Sequence, residues 1–388
     1  MGLLASKFVD AWRGAQPRGA DDLRPTQTRL CKGCGRWVIA SLIGLTAPPA
    51  IAETIRIATF AAPISRDGPG LLLRDLLKAE DPQIAATQAI IAHVAPDILV
   101  LTDFDYDLDG LALEAFNARS LNYPYQYASL PNTGMQTGID LDGDGYLGDA
   151  RDGQGYGRFS GDGGMAILSR FPIEAVRDLS ATLWKDVQGA TLPTKDGNPF
   201  PSAQAREIQR LSTTAHWIVP MTLPGGSRLT LLALSATPPV FDGDEDRNGL
   251  RNRDELLLFE NIIAAEVPAR FVVIGNANLD PSDGQGFTSA MTHFLANPAI
   301  QDPEPASMGG QIAANPTHRG NPANDTADWD DDVPGNLRVS YVLPSMDWQV
   351  TDSGVFWPAP DDPDAALLGD DGLAAGPHRL VWVDLALE

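Results

Sequence analysis

Oxygen-donor side chains at the spacing a hard cation needs occur twice in the sequence. Asp244, Asp246, Asn248, Leu250, Asn252 and Glu255 fall at positions 1, 3, 5, 7, 9 and 12 of the twelve-residue calcium-loop pattern, with Gly249 at position 6. Calcium takes about six to eight oxygens, and Glu255 would close the set as a bidentate ligand opening the next helix. Thr237–Pro239 do not form an incoming helix, so an acidic solvated turn is the plainer alternative. Asp140, Asp142 and Asp144 begin the same pattern with Gly145, but position 12 is Arg151. Asp149 or Asp152 would have to substitute there, and a polar turn held by Asx hydrogen bonds is the competing reading. Calcium is the expected cofactor.

Cys31 and Cys34 form a lone C-x-x-C. Without a second Cys or His pair at ligand spacing it reads as incidental to the leading segment rather than as a zinc or redox site.

The elements that must position such groups are short. Thr54–Phe60 alternates polar and apolar residues, and Asp97–Leu101 is an apolar run that follows a helical stretch from Pro82 to Val94. Met165–Ser169, Leu229–Leu234, Phe271–Ile274, Val339–Leu343 and Leu380–Leu385 read as further strands, and Glu255–Glu266 has helical spacing. Strands with few long helices indicate a layered α/β protein with two packed sheets. The stretches 117–164 and 301–336 are rich in Gly, Asp, Pro and Asn, and loops of that length are uncommon unless functional or tied down by ligands.

The order of short motifs is more specific: IRIATFAA, PDILVLTDFDYD, GGMAILSRFPI, LTLLALSATPP, FVVIGNANLDP, LRVSYVLPS and GPHRLVWVDL. Together they cover residues 54–388 and resemble the endonuclease/exonuclease/phosphatase superfamily from end to end. The resemblance implies a four-layer α/β sandwich, two packed mixed sheets flanked by helices, and divalent-metal-dependent hydrolysis of a phosphoester. That chemistry wants a carboxylate-held Mg²⁺, a base for water, and amide or imidazole donors for the pentavalent state.

Carried over by position, the family's roles meet altered residues. Its metal-site asparagine falls on Ala61, and its metal-binding glutamate on Asp103, a shorter carboxylate that keeps Mg²⁺ as the second expected cofactor. A phosphate-contacting histidine is Ser235. In the G-D-x-N signature the general-base aspartate is Asn276, which cannot accept a proton from water, while Asn278 is retained. The aspartate that orients the last histidine is Ser340, and the closing S-D-H survives only as His378. His378, Asn278 and Asn276 are thus the inherited catalytic positions. Activity is expected to be weak or lost, unless carboxylates such as Asp105, Asp107 or Asp280 rebuild a metal site. A ligand- or partner-binding protein stabilised by calcium is the alternative.

Residues 1–52 read as a secretory signal: Arg29, Lys32 and Arg36 precede the apolar run Trp37–Ala47 and the small-residue motif Ala50–Ala52. Cleavage would yield a periplasmic or secreted protein comprising residues 53–388, and retention would leave a signal anchor. No later stretch approaches about 18 apolar residues, so no span of the mature chain is expected. The chain carries a formal charge of −23, and loss of the signal takes seven basic and three acidic residues away from 28 and 51. Such a surface repels polyanions, which favours a small phosphorylated substrate over nucleic acid and suits a monomer.

Overall fold

A computed structural model describes residues 53–266 and 269–387. The targeting segment and both cysteines lie outside them. In chain order come β1 (Thr54–Phe60), α1 (Leu71–Lys78), α2 (Pro82–Val94), β2 (Ile98–Phe104), α3 (Leu111–Ala118), β3 (Tyr125–Tyr127), β4 (Gly164–Ser169) and β5 (Arg177–Asp178). A two-stranded ribbon of β6 (Thr194–Lys195) and β7 (Asn198–Pro199) follows, then α4 (Ala203–Ile208), β8 (Ala215–Thr222), β9 (Arg228–Ser235) and α5 (Arg247–Glu266). The chain continues with β10 (Phe271–Asn276), α6 (Thr288–Leu295), α7 (Met308–Ile312), β11 (Ser340–Pro344), β12 (Val350–Val355) and β13 (Val381–Ala386).

The strands form two mixed sheets, ordered β12-β13-β1-β2-β4-β3 and β11-β10-β9-β8-β5. Alternation along the second sheet decides how they stack. Trp217, Val219, Leu231, Ala233, Val272, Ile274 and Val342 join the first sheet's side chains in one core. Their neighbours Ile218, Leu232, Leu234, Val273 and Leu343 point the other way, onto Leu256 and Phe259 of α5 and Phe294 of α6. On the far side, Leu72, Ile84, Ile91 and Phe116 of α1 to α3 share the first sheet's core. Helices, sheet, sheet, helices is the four-layer sandwich. Its first crossover is fixed locally: Asp81 caps α2 by accepting from Ile84 N at 3.0 Å, Pro82 opens the helix, and Ala95 ends it with φ 51°.

Six of the seven strands expected from the sequence match to within two residues and β2 runs three further, but β8 and β12 do not announce themselves. Pro220 interrupts the pattern of β8, and Val350–Val355 carries a polar run, Thr351 to Ser353, of which Thr351 and Asp352 are exposed. The topology also gathers one set of strand ends. Parallel β1 and β2 finish where antiparallel β13 and β4 start, with Thr59 opposite Val381 and Phe104 opposite Gly164. In the second sheet Asn276 lies opposite both Ser235 and Ser340. The segment Thr326–Asp328 stitches the two edges together. Thr326 Oγ1 accepts from Val339 N and Ser340 N at 2.9 and 3.0 Å, while Arg379 N donates to Thr326 O at 2.8 Å and Asp328 N to Pro377 O at 3.0 Å.

Candidate active site

On the first sheet, Asp103, one residue before the end of β2, has φ 63°, a left-handed conformation that Asp tolerates better than most residues. Its Oδ1 accepts from Ser65 Oγ at 2.6 Å. Desolvation pushes its carboxyl above the ordinary range; the Ser65 hydrogen bond opposes this and nearby Asp162 adds to it. Ala61, after β1, is buried and offers no oxygen side chain. Asp105 is engaged by the backbone, accepting from Arg66 N at 2.9 Å and Gly163 N at 3.1 Å, and burial raises it to about 6. Asp107 accepts from Ala112 N at 2.9 Å at the start of α3.

On the second sheet, Asn276 Oδ1 accepts from Asn278 N at 3.2 Å, and Asn278, with φ 51°, donates from Nδ2 to Ala236 O at 2.8 Å. The Asn276 side-chain amide therefore organises its own loop. Asp280 Oδ1 accepts from Ser282 N and Asp283 N, and its Oδ2 from Arg338 N, all at 2.7 Å. The carboxylates that would rebuild a metal site are thus mostly occupied by backbone amides.

His378 leads into β13 with its ring edge-on to Trp329 at 5.2 Å between centroids. Its Nδ1 is buried without a hydrogen-bond partner, and so is Ser340 Oγ. Burial, assisted by the Arg379 guanidinium, holds the imidazole down to about 4, so it is neutral near pH 7. Arg379 itself is fully buried, with Nη2 2.7 Å from Asp328 Oδ2. Asp103, Asn278 and His378 accordingly lie at the same end of the sandwich, as their places in the motif order predict.

A profile described as the Endonuclease/Exonuclease/phosphatase family matches residues 71–376, most of the chain. The chain belongs to that family. No curated protein sequence matches it. Among solved structures, an endonuclease/exonuclease/phosphatase from Beutenbergia cavernae is similar at 15% identity, covering 86% of this chain and 72% of its own, with a TM-score of 0.49. A family protein from Leptotrichia buccalis is 14% identical, with a TM-score of 0.45, covering 86% of this chain and 99% of its own. Sphingomyelinase C from Streptomyces griseocarneus is 14% identical, covering 86% and 100%, with a TM-score of 0.47.

Within the family pattern, Ser65, Thr326 and Trp329 touch or tie the strand-end residues without any motif having marked them. The one sequence signal was the length of the loop 301–336 that carries two of them.

Several of the expected calcium donors in Asp244–Glu255 have protein partners in the structure. Helix α5 starts at Arg247, so Asn248, Leu250, Asn252 and Glu255 sit on helical turns. Asp244 and Asp246 are exposed, whereas Asn252 and Glu255 are buried. Glu255 accepts from Thr213 N and Thr237 N, each at 2.6 Å, and Asn252 Nδ2 donates to Thr237 O and Ala277 O at 2.7 and 2.8 Å. The donors that fit a calcium pattern serve as clamps on the loops after β9 and β10. In the other loop Asp140, Asp142 and Asp144 do come together, with one carboxylate oxygen of each within 4.8 Å of the others. Asp140 accepts from Gly143 N and Gly145 N at 2.6 and 2.9 Å, and buried Asp152 from Leu141 N and Gly148 N at 2.8 and 2.6 Å.

Proposed function

We propose that this family member keeps the phosphoesterase fold and has lost most or all of the hydrolytic activity. The observation that carries the reading is the pair of unpartnered atoms, His378 Nδ1 and Ser340 Oγ, at the two positions where the family pattern has an aspartate orienting a histidine. A neutral, unoriented imidazole adds little charge stabilisation to a pentavalent phosphorus. Asn276 cannot serve as base, because an amide accepts no proton near neutral pH. The donor set does not fit the family's magnesium centre either. Asp103 is the one carboxylate at the inherited metal positions, it is bonded to Ser65, and Ala61 supplies no oxygen side chain. Losing one member of a catalytic set that acts as a unit costs orders of magnitude in rate.

The leading residues support export to the periplasm or medium, and the acidic surface supports a small phosphorylated ligand over nucleic acid. Among the described residues no helix is long and apolar enough to cross a membrane. Calcium enters this reading only through the Asp140–Asp144 carboxylates, whose mutual repulsion a hard cation would relieve. The test is turnover of a panel of phosphodiesters and phosphomonoesters, with Mg²⁺, Mn²⁺ or Ca²⁺, by the wild type and by His378→Ala. Equal, near-background rates support the reading. Vigorous turnover that His378→Ala abolishes refutes it.

A further inference from the structure

The loop between α7 and β11 carries side chains that neither the family pattern nor the calcium-like loops account for. His318 is 6% exposed there and stands between two buried carboxylates. Its Nε2 is 3.6 Å from Asp283 Oδ2, and its Nδ1 is 3.7 Å from Asp325 Oδ2 and 3.4 Å from Asn315 Oδ1. Asn315 Nδ2 donates to Thr317 Oγ1 at 3.0 Å, which leaves its Oδ1 for the imidazole side. Asp283 is anchored by Arg319 N and Gly320 N at 3.0 and 2.7 Å. Asp325 is the contrast: it is 1% exposed and its Oδ2 has no hydrogen-bond partner. Asn336 Oδ1 is likewise buried and unpartnered, while its Nδ2 is held by Ala313 O at 2.8 Å. Asn336, Asn315, His318 and Asp283 line a cavity of about 330 Å³.

Burial, with Asp280 and Asp283 close by, raises the Asp325 carboxyl to about 8, so a cation entering there would displace its proton, while the amide oxygen of Asn336 can only accept. We propose that His318 Nδ1, Asp325 Oδ2 and Asn315 Oδ1 bind a first-row divalent cation of the zinc or manganese kind, with Asp283 orienting the imidazole from its other nitrogen. The alternative, an imidazolium bonded to both carboxylates, would bring each N–O distance to about 2.7–2.9 Å, and both are far longer. Separations of 3.4 and 3.7 Å instead match two ligand atoms sharing a metal. Ligands about 2.1 Å from a tetrahedral ion stand roughly 3.4 Å apart. A carboxylate on the second ring nitrogen is the usual support of a metal-bound histidine. One imidazole with oxygen donors suits zinc or manganese better than calcium or magnesium. Such an ion would fasten the loop around Asn315–Asp325 to the turn at Asp283, directly behind Thr326 and β11.

The test titrates the full chain, stripped of metal and carrying Asp142→Asn to silence the acidic loop, with Zn²⁺ by calorimetry and with Co²⁺ by visible spectroscopy. One equivalent is expected to bind. Affinity should fall at least a hundredfold in His318→Ala or Asp325→Asn, and about tenfold in Asp283→Asn, the range for a group that supports a ligand. Asp325→Asn preserves volume, and circular dichroism checks its folding. If His318→Ala does not fold, the Co²⁺ ligand-field bands of the parent and their loss in His318→Gln decide the matter. Absence of stoichiometric binding, or binding equal in all variants, overturns the proposal.

Discussion

At the scale of single residues, the proposed loss of activity rests on buried polar atoms that stand without partners. His378 and Ser340 show this most plainly, since the imidazole Nδ1 and the hydroxyl are both buried and unbonded. Ser340→Asp should return an acceptor and a charge to the imidazole. We expect the His378 pKa to rise from about 4 by at least two units, read from its ring protons by NMR. A value that stays put would mean the two positions do not communicate. His216 is depressed to about 4 for a different reason: it is fully buried, and its neutral ring is satisfied by Ser212 Oγ at 2.7 Å and Glu255 O at 3.1 Å. Because its folded pKa lies below the unfolded value, the native state binds fewer protons between about 6.5 and about 4. The stability is present above pH 6.5 and lost as pH falls through 4, on the order of 3 kcal/mol for this group alone. Urea midpoints measured from pH 7 to 4 should fall accordingly, and His216→Gln should flatten the slope.

At the scale of elements, the second sheet's loops depend on the first turns of α5. Glu255→Ala would strip the acceptors from two backbone amides, Thr213 N and Thr237 N, and leave them unpaired. The expected cost is about 2–5 kcal/mol, seen as a lower melting temperature that calcium does not restore. Burial pushes Glu255 up to about 7, consistent with a clamp in a dry interior. The sequence pattern at this helix start has two readings. A calcium loop and a polar helix start both need closely spaced carboxylates and amides, and no spacing rule says whether their partners are an ion or backbone amides. Seven of the strands were legible because their apolar runs or alternation match strands buried in the sandwich. β8 and β12 were not, one broken by Pro220 and the other lying polar at a sheet edge.

At the scale of the whole molecule, the order of motifs made the sandwich readable, because the strands that build it carry those motifs. The motifs could not show that Asp105 and Asp280 are held by backbone amides, or that His318 lies between two buried carboxylates. Those contacts join residues tens of positions apart across long loops. If the Asp140–Asp144 loop holds calcium, EGTA should lower the melting temperature by a few degrees, and Asp142→Asn should remove that sensitivity. Ligand at a hundredfold excess over its dissociation constant stabilises by about 2.7 kcal/mol. The most direct test of the proposed loss of activity is the rate of phosphodiester hydrolysis, with Mg²⁺ present, of the wild type beside Asn276→Asp/Ser340→Asp/Ser235→His. Restoring a base, its orienting carboxylate and a phosphate donor should raise the rate by about a hundredfold or more, the contribution expected of a positioned general base. A wild type that already turns over briskly, with no gain in the triple variant, would contradict the account.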